Sequence, residues 1–290
     1  MKKKIRIIIN PISGTGKQKK AEEAIRKFLD ASLFESEIVQ TTQKGDITKF
    51  SRQAVEENFA AVIVVGGDGS INKAVQALSG SNTALGIVPI GSGNGLARHL
   101  KLPLSLKEVV GRINQFDLQK IDTGTINNYT FASIAGFGFD AHIAHIFSTS
   151  KKRGLWNYIK ITIREFFRFQ CEQYNYILDG KQFEKKAFMI VFANSNQFGN
   201  NFILSPGAKL NDGFLDVCIV QKPKLHQIPL LLLQILFKKA HRSKLIEIQK
   251  AKTFQLKLEN PKSMNIDGEA IELEGTIRIH INPLSLLVIS

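Results

Sequence analysis

Up to Ile121, apolar positions fall in short unbroken runs separated by segments of helical period. Ile5–Ile9, Ile38–Gln40, Ala61–Val65 and Leu85–Val88 are continuous enough to predict strands buried on both faces. Lys17–Asp30, Asp46–Glu57 and Ser70–Leu78 space their apolar residues three and four apart and predict helices. Strand–helix alternation predicts an α/β domain built on a parallel sheet with helices on both faces. Such sheets bind ligands beyond the carboxyl ends of their strands. The glycine-rich segments Asn10–Gly16, Gly66–Ser70 and Gly91–Gly95 all fall there.

The rhythm then changes. Thr130–Ala135, Gln173–Leu178, Phe188–Ala193, Phe214–Val220, Thr253–Leu258 and Thr276–Ile281 read as strands. Asp179-Gly180, Asp212-Gly213 and Asp267-Gly268 are turn signals between several of them. A β-rich, antiparallel, sandwich-like C-terminal domain with two or three helices is predicted. The expected division is 1–121 joined by 283–290, because Leu286–Ile289 after Pro283 is expected to return to the first sheet, and 122–282. No internal repeat or low-complexity segment appears.

Composition narrows the class. The 290 residues are 43% hydrophobic and 22% charged, which excludes disordered and fibrous proteins. Lys+Arg exceed Asp+Glu by 39 − 25 = +14, a charge that suits a polyphosphate ligand, an anionic membrane surface or nucleic acid. The basic residues are scattered and match no nucleic-acid module, so nucleic acid is set aside. Two cysteines, Cys171 and Cys218, make neither a disulfide framework nor a four-thiolate zinc site. The start, Met1 to Asn10, is too short in its apolar part and too charged for a signal peptide. The longest apolar run, Ile228–Phe237, falls well short of the ~20 residues of a membrane span. It is followed by Lys238-Lys239-Ala240-His241-Arg242. It reads as a core helix with a solvated basic end in preference to a membrane-interface segment. A soluble, cytoplasmic protein is expected.

Three glycine loops at one end of a sheet suggest a polyphosphate cradle, because glycine lets backbone N–H groups approach phosphate oxygens. Two familiar motifs do not apply. Gly14-Thr15-Gly16-Lys17 lacks the spacing and the Ser/Thr of a P-loop. Gly136-Phe137-Gly138-Phe139-Asp140-Ala141 matches a dinucleotide fingerprint but lies in the β-rich half, outside a βαβ unit. Within Gly66-Gly67-Asp68-Gly69-Ser70-Ile71-Asn72, the acidic Asp68 is costly in a phosphate loop unless a divalent cation intervenes or it handles a proton. It therefore points to Mg²⁺-assisted phosphoryl chemistry, against the plainer reading of a helix-capping aspartate. His142 and His145 have no third ligand near them and read as helix surface. Ala135–Ile146 and Leu155–Phe169 are rich in Phe, Ile and Trp156, and Lys151-Lys152-Arg153 precedes the second. They are candidates for a lipid-lined cleft with a basic rim, or for ordinary core.

Asn10-Pro11-Ile12-Ser13-Gly14-Thr15-Gly16, Gly66-Gly67-Asp68-Gly69-Ser70 and Pro89-Ile90-Gly91-Ser92-Gly93-Asn94-Gly95-Leu96-Ala97-Arg98, in that order and spacing, resemble the diacylglycerol kinase catalytic family. The resemblance continues through Pro206–Val217 and Asp267-Gly268-Glu269 and so spans almost the whole chain. It implies a Rossmann-like nucleotide domain of the NAD-kinase and diacylglycerol-kinase type, with the active site in the cleft beside a lipid-binding domain. It implies ATP and Mg²⁺ as cofactors and a lipid hydroxyl as phosphate acceptor. By the same resemblance Asp267 is the general base, with Glu269 and Asp68 beside it. Asn10, Ser13, Gly14, Gly16, Thr41, Gly66, Gly67, Asp68, Gly69, Ser70, Asn72, Gly91, Ser92, Gly93 and Asn94 match nucleotide-binding positions. Asp212, with the carbonyls of Leu215 and Val217, matches a structural Mg²⁺ site, and Asp122 a carboxylate of its water network. A lipid substrate implies peripheral association at the inner face of the membrane, and the resemblance leaves a homodimer open.

Gly95 departs from the family, since many bacterial diacylglycerol kinases carry aspartate there. The Gly-Ser-Gly-Asn-Gly form resembles the sphingosine and ceramide kinase branch. Diacylglycerol or a related lipid is the first expectation, and a sphingosine- or ceramide-type acceptor the alternative. An NAD kinase would share the Gly-Gly-Asp-Gly loop but not the Asn10–Gly16 block. A non-catalytic lipid or nucleotide sensor is the reading of another class, opposed by intact Asp68 and Asp267.

Overall fold

The computed structural model describes residues 1–11, 16–149, 155–199 and 202–290. In the first half β1 (Lys3–Ile9), α1 (Gln18–Phe28), β2 (Phe34–Gln40), α2 (Asp46–Glu56), β3 (Ala61–Gly66), α3 (Asp68–Leu78), β4 (Ala84–Pro89), α4 (Gly95–His99) and α5 (Leu106–Gln115) follow in order. β2, β1, β3 and β4 lie side by side, all parallel. β3 and β4 are apolar at every position because both of their faces are covered, and β1 buries one charge, Arg6, which is ion-paired with Glu37. Ile8, Val62, Val64 and Leu85 pack under α2 and α3, while Ile7, Ile63 and Val65 pack under α1 and α5. Each such side chain contributes about 1.5–3 kcal/mol through burial.

In the second half the chain forms β5 (Leu118–Ile126), β6 (Tyr129–Phe131), β7 (Ile134–Gly138), α6 (Phe139–Thr149), α7 (Leu155–Arg168), β8 (Glu172–Leu178), β9 (Lys181–Ala187) and β10 (Met189–Ala193). There follow β11 (Gln197–Gly199), β12 (Phe202–Ile203), β13 (Leu215–Val220), α8 (Ile228–Leu236), β14 (Ile246–Ala251), β15 (Thr253–Lys257), β16 (Lys262–Ile266), β17 (Glu269–Leu273) and β18 (Thr276–Ile289). One antiparallel sheet runs β14-β13-β10-β7-β16-β17. The other layer, β18-β15-β8-β9, is continuous with the parallel sheet through β4. Phe137, Phe192, Val217 and Ile266 of the first layer meet Tyr176, Phe254, Leu256 and Ile279 of the second. The result is an α/β half joined to an antiparallel sandwich. β18 runs through both: Val288 pairs in parallel with Leu85, and Thr253 to Lys257 pair with its first residues.

Two expectations are corrected. Thr130–Ala135 is not one strand, because the ladder breaks at Ala132 and Ser133, whose N–H groups turn to the Asp267 carboxylate. Ile228–Leu236 is helical, but of its residues only Ile235 is buried. It lies on the outer face of β10 and β13 through Leu231 and Ile235 and leaves Leu230, Leu232, Leu233 and Leu236 exposed, so it is not a core helix. His142 lies on α6 and its Nε2 is within hydrogen-bond distance, 3.1 Å, of Glu165 Oε2 of α7. No helix among the described residues is long and apolar enough to cross a membrane.

Candidate active site

β3 ends at Gly66 and α3 starts at Asp68, so the chain turns sharply at Gly67. This turn lies against the loop that follows β4. A Cβ on Gly91 would stand 2.7 Å from Gly67 Cα, so only glycine allows the two loops to touch. Asp68 fastens them. Its Oδ2 accepts the N–H of Asn94 at 2.8 Å and its Oδ1 that of Gly95 at 2.7 Å. Burial raises its pKa, while those two hydrogen bonds oppose the shift. Asn94, in left-handed backbone, braces its own loop. Its Oδ1 accepts Gly91 N–H at 3.0 Å and its Nδ2 donates to Gly91 O at 2.8 Å. Ser92 is exposed at the tip, and Gly93 O accepts from Arg98 Nε at 2.9 Å. Asn10, at the end of β1, donates from Nδ2 to Ser70 Oγ at 3.3 Å and ties in the first loop.

Gly16 is described, with left-handed backbone, but Ser13 and Gly14 lie outside the described residues, as do Lys151, Lys152 and Arg153. Thr41 is buried and its N–H donates to Ile9 O at 3.0 Å. The turn after it is held by Asp46 Oδ2, which accepts the N–H groups of Thr42 at 2.8 Å and Gln43 at 3.0 Å. Between α2 and α3 opens a cavity of about 570 Å³ walled by Lys44, Lys49, Arg52 and Lys73.

The sandwich half contributes Asp267, at the turn between β16 and β17. Asp267 and Gly268 have φ of 47° and 89°, the backbone that an Asp-Gly hairpin turn requires. The buried carboxylate accepts four hydrogen bonds. Oδ1 takes the N–H groups of Ser133 and Ile134, and Oδ2 that of Ala132, each at 2.9 Å. Asn72 of α3 completes the set from Nδ2 at 3.0 Å. An ionised carboxylate offers about four lone-pair sites, so this one is full. Burial pushes its pKa up and the four donors hold it down, with burial the larger cause. Glu269, two residues on, is ion-paired with Lys73 of α3 and lies over Gly69.

Behind the turn, Asn265 Oδ1 accepts Gly268 N–H at 2.9 Å and Asn265 Nδ2 donates to Asp140 Oδ2 at 2.8 Å. Asp140 thus positions the Asp267 turn through Asn265. Its carboxyl is pushed up to about 6 by burial. The native state therefore holds this proton more tightly than the unfolded chain does between pH 3.8 and 6. Stability from this group is lost as pH rises through that window. Asp140→Asn should gain on the wild type across it, by about 3 kcal/mol at most, and then run parallel. Urea unfolding of both proteins at pH ~4 and ~8, near the foot of the window and above its top, reads this. An equal gap at both pH values would remove the buried charge from the account.

At the expected structural metal position, Asp212 and Asp122 make the following contacts. Asp212 is ion-paired with Lys250 of β14 and accepts Phe214 N–H at 3.2 Å. Asp122, fully buried, engages both oxygens with the N–H groups of Gly213 and Leu284 at 2.7 Å each. Leu215 and Val217 lie within β13, paired with Ala251 and Gln249 of β14. Among the described residues no three His, Cys, Asp or Glu side chains converge as a ligand set. The Lys250 ammonium meets the Asp212 carboxylate, and backbone donors engage Asp122.

Residues 4–126 match the model of the diacylglycerol kinase catalytic domain, and residues 133–290 match that of the YegS C-terminal NAD kinase beta sandwich-like domain. The chain belongs to the diacylglycerol kinase family. It is a phosphotransferase with an alcohol group as acceptor. The diacylglycerol kinase of Staphylococcus saprophyticus subsp. saprophyticus is 25% identical over 274 residues, 93% of this chain and 90% of that protein. That of Staphylococcus carnosus is 26% identical over 273 residues, 93% and 89% of the two chains. A solved structure from Bacillus anthracis str. Sterne has the same fold, with a TM-score of 0.81 at 24% identity over 99% of this kinase and 97% of that chain.

Sequence reasoning passed over several groups at this kinase's site. Lys73 stands one turn along α3 from Gly69, and that spacing was its only signal. The Ala132–Ile134 backbone, Asn265 and Asp140 carry no motif. Their roles come from contacts made across the fold.

Proposed function

We propose that this kinase transfers the γ-phosphate of Mg·ATP to the hydroxyl of a membrane lipid, diacylglycerol first among the candidates. The observation that carries the reading is the Asp267 carboxylate, held between the sandwich half and α3 by three backbone donors and one side-chain donor. An alcohol is a weak nucleophile near neutral pH, and a positioned carboxylate that takes its proton accelerates the attack. The backbone donors are fixed, whereas Asn72 Nδ2 has a second acceptor in Thr130 O at 3.0 Å. The acceptor hydroxyl takes the place of the Asn72 amide on Asp267 Oδ2 and passes its proton there.

The remainder of the task is positioning and charge neutralisation. The glycine turns at Gly66–Gly69 and Gly91–Gly95 suit phosphate oxygens, and the start of α3 adds its partial positive charge. Asp68 keeps the two turns in register. Lys73, held by Glu269, stands beside the Gly69 turn. Gly95 supports a sphingosine- or ceramide-type acceptor as the second reading. A Cβ there would lie 3.6 Å from Asp68 Oδ1, so the chain avoids placing a second carboxylate against the first.

Transfer of label from γ-labelled ATP to a mixed-micelle panel tests this. Diacylglycerol, monoacylglycerol, phosphatidylglycerol, sphingosine and ceramide form the panel, with NAD as control. Label is expected in one lipid class and not in NAD. Label in NAD alone, or in nothing while nucleotide binds, would sink the lipid-kinase reading.

A further inference from the structure

Between Asp216 and Glu247 the chain carries no acidic residue, yet it holds Lys222, Lys224, Lys238, Lys239, Arg242 and Lys244. Within this stretch lies α8, with the sequence Ile-Pro-Leu-Leu-Leu-Leu-Gln-Ile-Leu. Ile235 and Leu231 pack onto Val191, Cys218 and Val220, on the face of β10 and β13 that points away from the sandwich core. The opposite side of the helix is apolar too. Leu230, Leu232, Leu233 and the following Phe237 are exposed, and Leu236 is 73% exposed. A helix on a protein surface ordinarily turns polar residues outward. Isolated leucines at a surface mean little, but a contiguous set marks a docking site.

A second helix continues the surface. α7 turns Trp156, Ile159, Ile163 and Phe167 outward, spaced three, four and four apart and so on one stripe. Lys160, Arg164 and Arg168 are exposed beside it. Both helices cover the same side of the sheet. Met189 touches the apolar clusters under each, and Lys222, just before α8, donates from Nζ to Phe169 O at the end of α7, at 2.6 Å.

Charge decides the occupant. A second copy would bring one basic rim against another. An anionic lipid surface meets the rim with opposite charge and offers the leucines an acyl boundary. We propose that the outer side of α8, continued by the α7 stripe, seats this kinase on anionic bilayers, with the leucines and Trp156 entering the interface and the Lys/Arg rim meeting headgroups. The inference rests on the lipid-kinase reading for its purpose, but its test needs neither nucleotide nor acceptor.

Trp156 is the one tryptophan of the chain and is 85% exposed, so its fluorescence reports the contact directly. With phosphatidylcholine vesicles containing phosphatidylglycerol, emission should shift to the blue and be quenched by brominated acyl chains. With phosphatidylcholine alone both effects should be much weaker, and added salt should reduce binding. Leu232→Glu with Leu236→Glu should lower co-sedimentation with the anionic vesicles by at least about tenfold. Lys238→Glu with Lys239→Glu should lower it as well. All four side chains are exposed, so unchanged thermal melting certifies the fold. The double-leucine variant should phosphorylate a short-chain acceptor, dispersed as monomers, at the wild-type rate. Unchanged Trp156 emission on anionic vesicles would overturn the proposal, as would a double-leucine variant that sediments like the wild type. A dimer in gel filtration that this variant splits, with vesicle binding unaltered, would assign the face to a second copy and overturn it too. Failure of phosphoryl transfer to every acceptor would count against the kinase reading and leave the vesicle result to stand by itself.

Discussion

Asp267→Asn is expected to lower phosphoryl transfer by about 10²- to 10⁴-fold while ATP still binds, the range that removal of a positioned general base covers. The amide keeps one acceptor oxygen but turns an NH₂ group toward backbone donors at Ala132 or at Ser133 and Ile134. At least one buried N–H loses its partner, at about 1–3 kcal/mol. The assay therefore belongs well below the variant's melting temperature, with nucleotide binding measured on the same sample. The pH profile separates chemistry from damage. Burial raises the Asp267 pKa, and a base works only when deprotonated, so wild-type kcat/KM should rise with pH through that pKa. The residual activity of Asp267→Asn should lack this limb. Transfer within about tenfold of wild type, with the limb intact, would move the base elsewhere, and Glu269 would be the next residue to replace.

Phe131→Ala is expected to cost about 3–5 kcal/mol of stability, the usual range for removing a buried phenyl ring. Phe131 is fully buried in the sandwich core. Its ring rests on Gly124, where even a Cβ would overlap it. Gly124 and Phe131 face each other across β5 and β6, so the glycine is the seat and the ring fills it. The cavity would open directly beside Ala132, Ser133 and Ile134, so the donors to Asp267 should loosen as well. A whole domain has about 5–15 kcal/mol in hand, so the variant should unfold at far lower urea with little change in slope. A loss below about 1 kcal/mol would mean that the core closes over the gap.

The strands of the parallel sheet were legible because burial on both faces forces unbroken apolar runs, as in Ile5–Ile9 and Ala61–Val65. The Asp267-Gly268 turn was legible because the dipeptide suits its left-handed backbone. The gap between β6 and β7 was not. Its cause, the Asp267 carboxylate, lies more than a hundred residues away, and no local propensity announces it. Lys250 beside Asp212 escaped for the same reason, since the pairing of β13 with β14 brings it there. For α8, an apolar run reads alike whether it is covered or bare. Only the packing distinguishes a core helix from a surface one.

The pairing of Val288 with Leu85 also sets an order of events. β4 waits for a neighbour made about two hundred residues later, and β5 waits with it. During synthesis the parallel sheet has an open edge for most of the time that the ribosome is at work, the period in which unpaired strand edges invite aggregation. The α/β half should therefore complete its sheet only once the second half has emerged, so the two should gain protease resistance together and not in turn.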